Sequence, residues 1–128
     1  MITFRKFAEA VAVTALLASP ALAHHSGAMF DKSKLLTFKG VVQSFEWTNP
    51  HIRIMVVGDP TNAGATKTWM IESTSPGRLS RDGWTRTSLK PGDNIELSMN
   101  PAFDGRAMGT LRTLKNLDTG HNLRRPPE

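Results

Sequence analysis

Pro50 stands where two runs of alternating apolar residues meet, inside Phe45-Glu46-Trp47-Thr48-Asn49-Pro50-His51-Ile52. Proline has no backbone donor and biases the residue before it away from helix, so the chain must turn a corner here between two extended segments. Upstream, Leu35 to Trp47 reads as a first strand with Leu36 and Phe38 on one face. Its alternation loses phase near Gly40-Val41-Val42, and a glycine at a phase change indicates a bulge or bend. A long bent strand of this kind can serve both halves of a small barrel. Downstream, His51 to Val57 reads as a second strand, with Ile52, Ile54 and Val56 facing one way and His51, Arg53 and Met55 the other.

The following segments repeat the β pattern. Gly58 to Ala65 has a loop composition, and Thr66 to Ser73 reads as a third strand, with Trp69 and Ile71 inward and Thr68, Met70 and Glu72 outward. Ser75 as cap, Pro76 at the first helical position and Gly83 as terminator predict a short helix, which Leu79 and Trp84 would pack against a barrel end. Lys90-Pro91-Gly92-Asp93 is a tight turn, Asn94 to Asn100 a fourth strand, Phe103-Asp104-Gly105-Arg106 a hairpin turn and Ala107 to Leu117 a fifth strand. The domain is expected to span residues 35–121, after an arm at 24–34 and before a flexible tail at 122–128. Three strands, a short helix and two strands predict an all-β fold, a five-stranded, partly open OB-like barrel; an unclosed β-sandwich is the alternative. Trp47, Trp69 and Trp84 are expected in the core and barrel plugs.

Residues 1–23 are expected to be removed. Arg5 and Lys6 precede the short apolar run Ala10 to Ala18, and Ala21-Leu22-Ala23 has the A-x-A form of a signal-peptidase site. The run is shorter than the roughly 20 residues a membrane span needs, so a periplasmic or secreted protein starting at His24, with no membrane span after processing, is expected. The chain has no cysteine and a net charge of +5, so its stability must come from a packed core. The mild basic excess is spread along the chain and does not predict a nucleic-acid groove.

The stretches His24-His25-Ser26, Met29-Phe30-Asp31, Gly40, Trp47-Thr48-Asn49-Pro50-His51, Trp69, Glu72, Ser75-Pro76, Gly83-Trp84 and Leu89-Lys90-Pro91-Gly92-Asp93 together resemble a family of small exported bacterial proteins catalogued as a domain of unknown function, of the 6152 type. The resemblance covers nearly all of residues 24–128 and implies an exported OB-like domain. It carries no established activity, so no catalytic residue transfers. The family's usual aromatic after Ser26 is Gly27 in this chain.

Two constellations could carry chemistry. Cleavage after Ala23 would give His24 a free amine beside its own imidazole. With His25 or His51 added, these nitrogens form a set that favours Cu(II) in tetragonal geometry. The alternative is two solvated histidines on an arm. The second constellation is His51 with Glu72, expected to face each other directly if strands two and three pair with partner numbers summing to 123. The carboxylate would orient the imidazole and support a metal held by it, or else would form a surface ion pair. Arg53, Met55 and Met70 extend this outward face, the usual ligand surface of an OB-fold, where methionines could contact an apolar partner or Cu(I). There is no G-x-S-x-G elbow, H-E-x-x-H or phosphate loop. A small binding module, possessing copper or acting through an envelope protein, glycan or other small ligand, is therefore expected in place of an enzyme.

Overall fold

In the computed structural model, which describes residues 26–124, the first strand β1 (Leu36–Glu46) belongs to both halves of a barrel. Its first half, Leu36 to Val41, pairs antiparallel with β4 (Asn94–Pro101), and its second half, Gly40 to Glu46, pairs antiparallel with β2 (Arg53–Gly58). Gly40 and Val41 are the overlap, Gly40 partnered by Gly58 on one side and Ile95 on the other, Val41 by Val57 and Asn94. A Cβ on Gly40 would sit 2.5 Å from Val56 Cγ1 and 2.6 Å from the Val57 carbonyl oxygen, so the strands come this close only around glycine. The register shifts between Val42 and Ser44, leaving Gln43 as a bulge just past the expected bend.

The remaining pairings close the sheet. β2 pairs antiparallel with β3 (Lys67–Glu72), and β3 pairs in parallel with β5 (Met108–Asn116) through Met70 with Met108, Ile71 with Gly109 and Glu72 with Thr110. β5 pairs antiparallel with β4, which returns to β1. The circuit β1-β2-β3-β5-β4 is a closed five-stranded barrel of the OB type, and the β3–β5 seam rules out the unclosed sandwich. Between β3 and β4, α1 (Pro76–Ser80) starts where the Ser75 side chain accepts the Arg78 amide at 3.3 Å. It ends at Ser80, and Gly83, at φ +84°, turns the chain so that the Trp84 amide donates to the Leu79 carbonyl. Leu79 and Trp84 are buried against the barrel end, with the Trp84 ring 6.3 Å from that of Phe45. Trp47 and Trp69 are only partly buried but pack on the core. Ile52, Ile54 and Val56 are completely buried, as the alternation of β2 predicts.

The turn before β4 is a structural hub. Asp93, 3% exposed, accepts hydrogen bonds from the Lys90 amide at 3.0 Å, Lys90 Nζ at 2.7 Å and Asn116 Nδ2 at 3.0 Å. Its backbone carbonyl accepts from the Val42 amide, and Gly92 donates to the Val42 carbonyl. The Lys90-Pro91-Gly92-Asp93 motif thus ties β1, β4 and β5 together.

Two expectations are corrected. The first part of the expected tail is ordered, because Asn122–Arg124 form β6, which pairs with β5 and buries Leu123 at 3% exposure. The β2–β3 register has partner numbers summing to 125, so Arg53, not His51, lies opposite Glu72. The cause is Gly58. It stays in the strand, under the Phe38 ring, and the turn begins at Asp59, whose carboxylate accepts from the Thr61 and Gly64 amides. The expected leader, its cleavage site and His24 and His25 lie outside the described residues. Among the described residues, no helix is long and apolar enough to cross a membrane.

Candidate functional site

His51 precedes β2 rather than opening it. The Ile52 amide donates to the Thr74 carbonyl at 3.0 Å and the Ser73 amide to the Ile52 carbonyl at 3.2 Å, so the segment is stitched to the end of β3. Ile52 goes into the core, which sends the His51 side chain to the outer face with Arg53, Met55, Met70 and Glu72. Although the register differs from expectation by two residues, it preserves this shared face. His51 is the diagonal neighbour of Glu72, and its Nδ1 is hydrogen-bonded to Glu72 Oε1. An ionised carboxylate can only accept, so Nδ1 carries the proton and Nε2 is the ring nitrogen left for a ligand. The side chains are 32% and 18% exposed, so the pair is half-buried.

The pair opens onto a cavity of about 600 Å³. It is lined by Asn49, Pro50 and His51 from the segment before β2, by Arg53 of β2 and Met70 and Glu72 of β3, by Met108 at the start of β5 and by Arg106 in the turn before it. The Asn49–Pro50 peptide is cis. Met29 completes the lining from the N-terminal arm. The arm is fastened to the β4–β5 hairpin: Phe30 is buried and bridges Ala102, the Phe103 amide donates to the Met29 carbonyl at 3.0 Å, and the Asp31 amide to the Pro101 carbonyl at 2.8 Å. Both arginines already have carboxylate partners, Arg53 Nε with Glu46 at 3.1 Å and Arg106 Nε with Asp104 at 2.6 Å. What remains at the cavity is an oriented imidazole beside three thioethers.

Of the expected site residues, His51, Arg53, Met70 and Glu72 come together at this cavity, whereas Met55 shares the face opposite Met70 but does not line the cavity. Met29, Arg106 and Met108 are lining residues that the alternation of β2 and β3 does not reveal. The signal for Met108 is the barrel order itself, since the β3–β5 seam places the start of β5 beside Met70. No three His, Cys, Asp or Glu side chains gather into a metal-ligand group among the described residues. A second cavity, of about 840 Å³, lies at the β1–β4 overlap between Lys39, Asp59, Asn62 and Glu96. It is larger but holds no imidazole or thioether. The smaller cavity is therefore the better candidate. No curated protein and no solved structure matches the chain. Residues 12–112, most of its length, match the Family of unknown function (DUF6152), and the chain belongs to that family.

Proposed function

We propose that the protein is an exported small binding module of the cell envelope, released from its leader between Ala23 and His24, that binds copper through the new N-terminus. The leader pattern supports export: a basic start, a short apolar run and Ala21-Leu22-Ala23. The observation that carries the copper reading is the placement of Met29 in the wall of the cavity that His51 lines. Ser26–Met29 form a single turn of 3-10 helix with a rise of about 2 Å per residue, so His25 precedes Met29 by only about 10 Å of chain, and a chelate of the terminal amine, His24 and His25 starts close to the cavity that His51 lines. Nitrogen donors of this type suit Cu(II). Binder fits better than enzyme, because the cavity lining contains no Ser, Thr, Cys or Lys nucleophile beside the His51–Glu72 pair. The paired state of Arg53 and Arg106 also weighs against a nucleic-acid groove.

Intact mass of the exported protein should correspond to residues 24–128; retention of residues 1–23 would remove both export and the amine site. Processed protein should bind Cu(II) at least about tenfold more tightly than the same chain carrying one extra residue before His24, because the extension turns the amine into an amide. The difference should grow from acid to neutral pH, as the amine, with a reference value of about 7.7–8.0, gives up its proton to bind. Equal affinity in a chelator competition would discard the amine site. An interaction domain binding a protein or glycan on the outer β2–β3 face would then be preferred.

A further inference from the structure

We propose that the cavity is a second site, sharing only His51 with the amine chelate, for a soft monovalent d¹⁰ cation, Cu(I) or its analogue Ag(I), held by the thioethers of Met70, Met108 and Met29 and by His51 Nε2. Four of the five methionines among the described residues lie at this face, while the fifth, Met99, is completely buried in the core. Met70 and Met108 are direct partners across the β3–β5 seam, where neighbouring strands run about 4.8 Å apart, so both thioethers reach the same point above the sheet. Met29 approaches from the other side on the docked arm, whose backbone is held by the Phe103 amide. Unbranched methionine side chains adapt to such a point, and thioethers are ligands for soft cations.

The His51–Glu72 hydrogen bond gives the site its direction. Glu72 holds Nδ1–H, fixing the tautomer with Nε2 as donor, an arrangement common around metal-bound histidine. Glu72 is here a positioning residue that need not touch the metal. Charge also favours a monovalent ion. Arg53 and Arg106 are neutralised by Glu46 and Asp104, which leaves the single negative charge of Glu72 to balance one positive charge. A site of neutral thioethers and one imidazole offers little to hard divalent cations, which prefer oxygen donors.

The proposal rests on the copper reading only through the shared cavity, since it needs neither the amine nor His24 and His25. Its test therefore uses the chain with one residue added before His24. Cu(I) is supplied anaerobically from a chromogenic Cu(I) chelator, and Ag(I) serves as a probe insensitive to oxidation. Outer-partner substitutions at metal sites cost about 10–100-fold in affinity, so Met70→Leu and Met108→Leu, which remove ligands but keep apolar bulk, should each weaken Cu(I) binding at least tenfold. Met55→Leu, on the same face but outside the cavity, should change it less than about twofold. Glu72→Ala should weaken binding about tenfold, and Glu72→Gln, which retains an acceptor for Nδ1–H, should recover most of that loss at unchanged thermal stability. X-ray absorption of the Cu(I) protein should show sulfur neighbours. An unchanged affinity in the Met70→Leu/Met108→Leu double variant, a Met55→Leu loss as large as theirs, or a metal with only nitrogen and oxygen neighbours would each overturn the proposal. Strong Cu(I) binding together with equal Cu(II) affinity of processed and extended chains would sink the amine site alone.

Discussion

Asp93 shows how one buried carboxylate can hold a barrel corner. Burial pushes its carboxyl upward, but the hydrogen bonds and charge of Lys90 and the amide of Asn116 outweigh that and hold it below the ordinary carboxylate range. Because the folded value is depressed, the stabilisation is fully present above the unfolded value of about 3.9 and is lost as pH falls through the folded value. Asp93→Asn should therefore destabilise the protein by about 1–3 kcal/mol near neutral pH, and the gap to wild type should begin to narrow below about pH 4. Urea unfolding of both proteins at neutral pH and at pH 3.5 checks this; a gap that stays constant with pH would mean that the charge of Asp93 contributes nothing. The residue-level logic is partly legible in the chain: Lys90-Pro91-Gly92-Asp93 reads as a turn, but Asn116 is too far away in sequence to be identified as its partner.

At the scale of elements, strand faces are readable and registers are not. The alternation in β2 and β3 sorts Ile52, Ile54, Val56 and Ile71 from His51, Arg53, Met70 and Glu72 without error, because a period of two survives any register shift by an even number. The register itself depends on whether Gly58 ends the strand or stays in it, and that is decided by the Phe38 ring on a different strand. β6 escapes detection because three residues with one apolar side chain, Leu123, have no period. The arm reads as polar and Gly-containing, with Met29 and Phe30 as its candidate anchors, and Phe30 is indeed buried beside Ala102. Phe30→Ala should release the arm without unfolding the barrel, so hydrogen exchange at the Phe103 and Asp31 amides should accelerate at least about tenfold while the β1–β2 ladder stays protected. Unchanged exchange at those two amides would show that the arm is held by something other than Phe30.

The whole molecule is one closed circuit, and β6 bears on its stability more than its length suggests. Leu123 belongs to the same core cluster as Leu79, Trp84 and Leu114, and the Trp84 indole N–H donates to the Arg124 carbonyl at 3.2 Å. β6 therefore covers the plug that closes the barrel end after α1. Removing residues 122–128 would expose the surface under Leu123, losing about 1.5–3 kcal/mol, and would leave the buried Trp84 donor without its partner, at about 1–3 kcal/mol more. A domain of this size has about 5–15 kcal/mol in total, so a combined loss of about 2.5–6 kcal/mol leaves the truncated chain folded over most of that range and unfolded only at its lower end. At about 4–8 °C per kcal/mol, the midpoint should fall by at least about 10 °C. Removing only residues 125–128 leaves Leu123 and the Arg124 carbonyl in place and should change the midpoint little. The expected result is thus a large drop for the first truncation and almost none for the second, read by thermal unfolding at matched pH and salt. If both truncations leave the midpoint where it was, the barrel closes without β6, and Trp84 must be held by its contacts with Phe45 and Leu79 alone.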